Sequence, residues 1–172
     1  MRVAYLVRHG EPALTGVLLG RMDPGLSAAG RAAARAALAG LRAAIAYVSP
    51  LRRALETAEF LPGDIERRIL PDLIEVGQGD WEGLRWDEIE ARDPELARTR
   101  LARWLEVPAP RGEPWAHVLA RARAAAEIVS SGPLPAVVVA HHGINSALAH
   151  VIAGVDPAAF VQAYCEVIPY EL

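Results

Sequence analysis

Lysine is absent from this 172-residue chain, and all 18 of its cationic side chains are arginine. A phosphate-cradling P-loop lysine and a lysine Schiff base are therefore excluded. Cysteine occurs once, at Cys165, so no internal disulfide can form and a cysteine-built zinc site lacks its ligands. The residue reads as a small buried hydrophobe in a strand. Long apolar runs are also missing. The stretch from Pro135 to Ala140 falls far short of the roughly 20 residues that span a bilayer. Met1-Arg2-Val3 leads directly into a strand pattern without the apolar segment and small-residue cleavage site of a signal peptide, so the expectation is a cytoplasmic protein with no membrane partner. A net charge of -3 supplies no general basic face for nucleic acid, so any anion site must be local. No low-complexity tail and no internal repeat is visible.

The chain is long enough for one sizeable core, and a single domain over residues 1–172 is expected. Its 52% hydrophobic and 23% charged content is that of a globular protein, and 14 glycines with 13 prolines imply many turns. Val3 to Val7 reads as a strand buried on both faces. A loop through Gly20 to Gly25 leads to a helix from Ser27, its cap, to about Leu41. Further strands are expected at Ile45–Val48, Arg68–Leu70, Pro135–Ala140 and Tyr164–Ile168. Helices are expected at Ala54–Phe60, at Trp86 to Trp104 with a break near Asp93-Pro94, at Ala116–Val129 and after His141-His142-Gly143 through Ile152. Alternating strands and helices predict an α/β fold in three layers, a mostly parallel sheet with helices on both faces.

Three strand ends carry the chemistry. The first runs into Arg8-His9-Gly10-Glu11, the second into Ser49-Pro50-Leu51-Arg52-Arg53, and the fourth into His141-His142-Gly143 followed by a helix. In open α/β sheets ligands bind beyond the carboxyl ends of the strands, and a helix start favours an anion. Histidines and arginines brought to one sheet edge describe a pocket for a small, densely charged anion such as phosphate, since arginine matches phosphate oxygens in pairs.

In order and spacing, Arg8-His9-Gly10-Glu11, Ser49-x-Leu51-x-Arg53-Ala54-x-x-Thr57-Ala58, Leu73-x-Glu75-x-x-x-Gly79-x-Trp81-Glu82-Gly83, Gly112-Glu113 and His141-x-Gly143 resemble the signature of the histidine phosphatase superfamily, the phosphoglycerate-mutase-like fold family. The resemblance implies that His9 is the nucleophile and forms a phosphohistidine, that Arg8, Arg53 and His141 hold the phosphoryl oxygens, and that Glu75 is the proton donor. It further implies Gly10, His142, Thr15 and Gly20 as substrate-binding residues, no metal site and no cofactor. The Leu51 and Thr57 anchors select Arg53 over Arg52, which is assigned to the surface. Phosphoryl transfer is mostly positioning and charge stabilisation, which fixed arginines and backbone amides supply. His9 must attack as the neutral imidazole, the form that neighbouring arginines favour.

Other residues have plainer readings. His142 contributes its amide more than its ring, while His117 and His150 are helix residues. Trp81 and Glu82 shape the turn carrying Glu75, Glu113 is placed to help close the rim, and Glu11 has no assigned role. The Arg31–Arg42 helix is a solvated face. Thr15, Pro12 and Ser146 depart from the family's usual asparagine, threonine and arginine, so a particular specificity does not transfer.

The expected function is a metal-independent phosphomonoesterase acting on a small phosphorylated metabolite. Leu19 to Ser27 is similar to the corresponding loop of α-ribazole phosphatases, which points to α-ribazole 5′-phosphate. The alternatives are a cofactor-dependent phosphoglycerate mutase, disfavoured by the short span between the third strand and the second histidine, and a non-catalytic phosphate-binding module. The oligomeric state is open, with a dimer among the options.

Overall fold

Five strands form one sheet in the order β3-β2-β4-β1-β5. The computed structural model describes residues 2–172. β1 (Val3–Arg8), β2 (Ile45–Val48), β3 (Glu66–Ile69) and β4 (Ala136–Ala140) run parallel, and β5 (Val167–Glu171) closes one edge antiparallel to β1. The fold is therefore the expected α/β class with a mostly parallel sheet. β4, the last parallel strand in the chain, lies between β1 and β2, with Leu6 opposite Val138 and Tyr47 opposite the same residue. All five residues of β4 are buried, as a strand covered on both faces requires.

Among the described residues there are six helices, α1 (Ala28–Leu38), α2 (Arg52–Ala58), α3 (Trp86–Arg92), α4 (Pro94–Ala102), α5 (Trp115–Ser131) and α6 (His142–Ala153), and α1, α2, α5 and α6 cover the sheet. Leu38 of α1 with Ala54 and Ala58 of α2 packs on one face of the sheet against Val7, Val48, Val137 and Val139. Val118, Ala122 and Val129 of α5 with Ile144 and Leu148 of α6 pack on the other against Leu6, Tyr47 and Val138. Burial of apolar area at roughly 25 cal/mol per Å² is what holds these layers together. α3 and α4 stand apart around a third, smaller cluster of Trp81, Ile89, Ala97 and Ala109.

Several expected boundaries shift. α1 stops at Leu38 instead of Leu41, in a turn through Ala39 and Gly40, and α2 starts at Arg52 because Leu51 already sits at its extended N-cap. Asp93, the cap of α4, separates α3 from α4, and Trp104 lies beyond the helical end. β3 begins two residues earlier than its apolar pattern suggested; it is an exposed edge whose charges discourage pairing with another sheet. β5 begins at Val167, so Tyr164 and Cys165 precede it. Cys165 is buried as expected, but in a turn at φ 60° and not in a strand. Pro169 fits this edge because an edge strand can forgo one ladder donor.

Glu11, left without a role by the sequence, joins the first loop to α1. Its carboxylate accepts from Ser27 Oγ at 2.7 Å, while that hydroxyl accepts from the Gly30 amide at 2.9 Å. Arg31 of α1 in turn meets Glu56 of α2 at 2.7 Å, so part of the Arg31–Arg42 face is engaged with α2. Ser27→Ala removes the cap and Glu11's partner together. We expect a loss of about 1 kcal/mol in urea unfolding, and an unchanged midpoint would show that the cap carries no stability.

Candidate active site

Because β2, β4 and β1 are adjacent and parallel, their carboxyl ends open on one edge. The ladder continues one step past the strands, with His9 N–H donating to Ala140 O at 3.0 Å and Ser49 N–H to Val139 O at 3.0 Å. The His9 and His141 rings thereby come within 5.0 Å, centre to centre.

His9 Nδ1 lies 2.7 Å from Gly10 O. A carbonyl only accepts, so Nδ1 carries the proton and Nε2 keeps a lone pair. That lone pair meets Arg53, whose Nε donates to it at 3.3 Å. Burial is the main reason the imidazole is pushed down to about 3; the Gly10 carbonyl opposes this, and the charges of Arg53 and Arg8 add to it. The result is a neutral ring with a nucleophilic nitrogen among cations. Gly10 itself is fully engaged: its amide donates to Thr57 Oγ1 at 2.9 Å, and a methyl group there would lie 2.8 Å from Gly30 O. Its place in the site is to orient His9, not to offer an amide to a ligand.

Arg53 is 1% exposed. Nη1 donates to Met22 O at 2.6 Å and Nη2 to Gly20 O at 2.9 Å, so the loop after β1 fixes the guanidinium by its carbonyls. Burial pushes Arg53 down from its ordinary range, and Glu75, Asp23, Tyr164 and Glu82 offset part of that cost. Arg8 donates to Gln162 O at 2.7 Å and lies 4.1 Å from the centre of the Tyr164 ring. Arg8 Nε is buried with no partner among the described residues.

His141 is fully buried, and its Nε2 lies 2.7 Å from Ser49 Oγ. Ser49 Oγ also accepts from the Leu51 amide at 3.3 Å, which ties the start of α2 to the His141 ring. Nδ1 too lacks a partner among the described residues. Burial first, then the charges near it, hold His141 well below the ordinary imidazole value. Two residues expected to grip phosphoryl oxygens thus each carry a buried nitrogen with no partner among the described residues, and an unsatisfied buried polar group costs about 1–3 kcal/mol.

Glu75 sits at the start of α6. Its carboxylate accepts from the amides of Val76 at 2.8 Å, Gly143 at 3.1 Å and Ile144 at 3.1 Å. This is the anion seat that a helix N-terminus provides. A methyl group on Gly143 would lie 2.6 Å from Glu75 Oε1, which explains the glycine after His141-His142. Arg121 clamps the loop from beneath, donating to Asp72 O and Ile74 O at 2.6 and 2.9 Å and gripping Glu113 with two bonds of 2.8 Å. Glu113 also pairs with Arg21 at 3.2 Å. Glu113 is therefore a strut of the Glu75 loop. Glu82 accepts from the Arg21 and Gln78 amides, shaping the turn as expected.

A cleft of about 210 Å³ is lined by Arg8, His9, Gly20, Arg53, Glu75 and Tyr164, among others. A second, of about 330 Å³, is walled by Trp86, Leu101, Trp104, Arg100 and His142, and shares Leu18, Glu75 and Gln78 with the first. Glu75 stands where the two meet. His142 lines this second space and packs on Phe160 at 5.4 Å, so its ring, and not only its amide, belongs to the site. Thr15 is exposed and lines neither cleft. Arg52 is exposed as expected and pairs with Glu56. His117 and His150 lie on α5 and α6.

Sequence reading gave no role to Tyr164, Ser49 or Gln162. The Ser49 motif position was the one available signal. Gln162 is buried and bonds Leu6 O at 2.9 Å and Asn145 at 3.0 Å, bracing the loop on which Arg8 rests.

The family model described as histidine phosphatase superfamily (branch 1) matches residues 4–169. A bifunctional protein of Mycobacterium tuberculosis is 38% identical over 129 residues, 69% of this chain and 34% of that protein. A 2,3-bisphosphoglycerate-dependent phosphoglycerate mutase of Bartonella henselae is 35% identical over 124 residues, 65% of this chain and 60% of the mutase. The chain thus spans about a third of the length of the first relative and under two thirds of the second. A mycobacterial glucosyl-3-phosphoglycerate phosphatase superposes with a TM-score of 0.86 at 30% identity, covering 98% of this chain and 90% of its own. A putative α-ribazole-5′-P phosphatase of Escherichia coli gives 0.81 at 26% identity, covering 92% and 82%.

The two depressed imidazoles predict a pH dependence of stability. Unfolded, these rings take up protons near 6.5; folded, His9 does so only near 3. The unfolded chain then binds more protons as pH falls, so this stability is complete above 6.5 and drains away toward 3. In thermal denaturation, His9→Asn should lose less melting temperature than the wild type between pH 6.5 and about 4. Identical slopes would mean that His9 binds protons equally in the folded and the unfolded chain.

Proposed function

The chain belongs to branch 1 of the histidine phosphatase superfamily, and on that premise we propose that it is a phosphomonoesterase working through a phosphohistidine on His9, without a metal ion. The observation that carries this is the neutral His9 imidazole with its Nε2 lone pair facing Arg53. Nε2 attacks phosphorus as the ester P–O bond breaks, while Arg8, Arg53 and His141 take the charge on the equatorial oxygens. Glu75 in its protonated form gives its proton to the departing alkoxide. The resulting carboxylate, seated on the Val76 amide and the Gly143 and Ile144 amides of α6, then takes a proton from water as it attacks phosphorus, the P–N bond breaks and phosphate leaves.

The substrate is a small phosphorylated metabolite whose alcohol enters the tryptophan-walled cleft. The loop Leu19–Ser27 and the α-ribazole phosphatase neighbour put α-ribazole 5′-phosphate in the first panel to be tried. The mutase relative supports a second reading, transfer to a bound phosphoglycerate. Phosphoryl transfer from labelled 2,3-bisphosphoglycerate to a monophosphoglycerate without phosphate release would select it over hydrolysis.

His9→Ala is expected to abolish both phosphate release and acid-labile phosphoenzyme. Glu75→Gln should slow alkyl phosphates by roughly 10²-fold or more and p-nitrophenyl phosphate far less, because nitrophenolate leaves without a proton. Gly143→Ala, which displaces the carboxylate, should give a weaker form of the same split. Equal losses on both esters would remove Glu75 from acid catalysis.

A further inference from the structure

One cation on the wall of the second cleft has no anion to answer it. Arg100, on α4, donates through Nη1 to the Trp104 carbonyl and through Nη2 to Gln78 Oε1 at 3.3 Å, and its guanidinium lies 6.0 Å from the Trp104 ring. Among the described residues no carboxylate comes within ion-pair distance of it, whereas Arg21, Arg31, Arg52 and Arg121 each meet a glutamate. Glu75 is the acid that shares this wall, and backbone amides occupy it. Arg100 is half-buried, and burial alone pushes it down from its ordinary range, with no acid to offset the cost. The rest of the wall is largely apolar: Leu18, Val76, Trp86, Leu101 and Trp104. A guanidinium in such surroundings keeps N–H donors to spare and matches an oxyanion geometrically.

We propose that Arg100 determines specificity by receiving an anionic group, a carboxylate or a second phosphate, carried on the alcohol portion of the ester. This rests on the phosphomonoesterase reading. The shared residues Leu18, Glu75 and Gln78 set the order along the ligand. The phosphoryl group lies at His9, the bridging oxygen at Glu75, an apolar body between Leu18 and the tryptophans, and the anionic group beyond Gln78 at Arg100. The substrate is then an acid as well as a phosphate ester, and α-ribazole 5′-phosphate, whose alcohol carries no anion, serves as the comparator.

The test measures phosphate release from benzyl phosphate and from its 3- and 4-carboxylated derivatives by the wild type, Arg100→Gln and Arg100→Lys. The wild type should favour a carboxylated ester by roughly tenfold in kcat/KM, the scale of one partly exposed charge-assisted contact. That ratio should collapse toward one in Arg100→Gln and stay intermediate in Arg100→Lys. A ratio near one in the wild type, or an unchanged ratio in Arg100→Gln, overturns the proposal. Parallel loss on all esters in Arg100→Gln also overturns it, since Arg100 would then only tether the Trp104 carbonyl to Gln78. If no ester is hydrolysed by the wild type, the phosphatase reading is what fails. Arg100 is then judged by calorimetry with benzylphosphonate and its carboxylated forms, where the same tenfold preference and its loss in Arg100→Gln are required.

Discussion

A buried guanidinium, Arg53, sets the terms for the rest of the site. Its hydrogen-bond partners are all neutral: the carbonyls of Gly20 and Met22 and the Nε2 of His9. Burying a cation costs several kcal/mol unless its surroundings answer it. The loop after β1 must therefore keep its carbonyls turned inward, and His9 must stay unprotonated. Thr57, one turn further along α2, holds the start of that loop, donating to Arg53 O at 2.7 Å while accepting the Gly10 amide. The geometry that tolerates Arg53 is the same geometry that leaves His9 a nucleophile.

Charge is then divided across the site by backbone direction. At the ends of β1, β2 and β4 the side chains are cationic or neutral, whereas the amides that begin α6 hold the Glu75 carboxylate. Glu75 is tied to the same helix that follows His141. Arg121 and Glu113 brace the other side of the Glu75 loop through carbonyls 72 and 74. An acid and a nucleophile that must remain at a fixed separation are thus attached to rigid elements and not to each other.

Much of this was legible from sequence where chemistry and local order coincide. Arg8, His9, Arg53 and His141 stand at or just beyond the ends of β1, β2 and β4, whose apolar runs stop abruptly, so their meeting at one edge follows from parallel strands, whereas Glu75 follows the charged strand β3 and was legible only through its motif. Tyr164 and Gln162 were not legible, because their contacts with Arg8 depend on how the chain returns before β5, more than 150 positions away. The same return misled the fifth strand, whose apolar letters begin at Tyr164 but whose pairing with β1 begins at Val167. β3 was misplaced for a related reason: an edge strand needs no apolar run, and Glu66, Arg67 and Arg68 pair with β2 through backbone groups. Thr15 failed differently. Its position in a family pattern said nothing about where the loop after β1 carries its side chain.

The two halves of the ligand site rest on different cores. The phosphoryl half is anchored to the sheet and to both large clusters, so changes there disturb the whole fold. The alcohol half is walled by α3, α4 and the turns around them, over the separate cluster of Trp81, Ile89, Ala97 and Ala109. Substitutions on that wall alter what lies beside Glu75 without touching the strand ends that position His9. This separation lets one phosphoryl mechanism serve different alcohols within a family, and it explains why the motif residues specify the reaction but not the molecule. Leu18 bridges the halves, lining both clefts while packing on the small cluster. On the proposed function, whatever alcohol lies against the wall of α3 and α4 is therefore registered, through Leu18 and Gln78, against the phosphoryl group at His9.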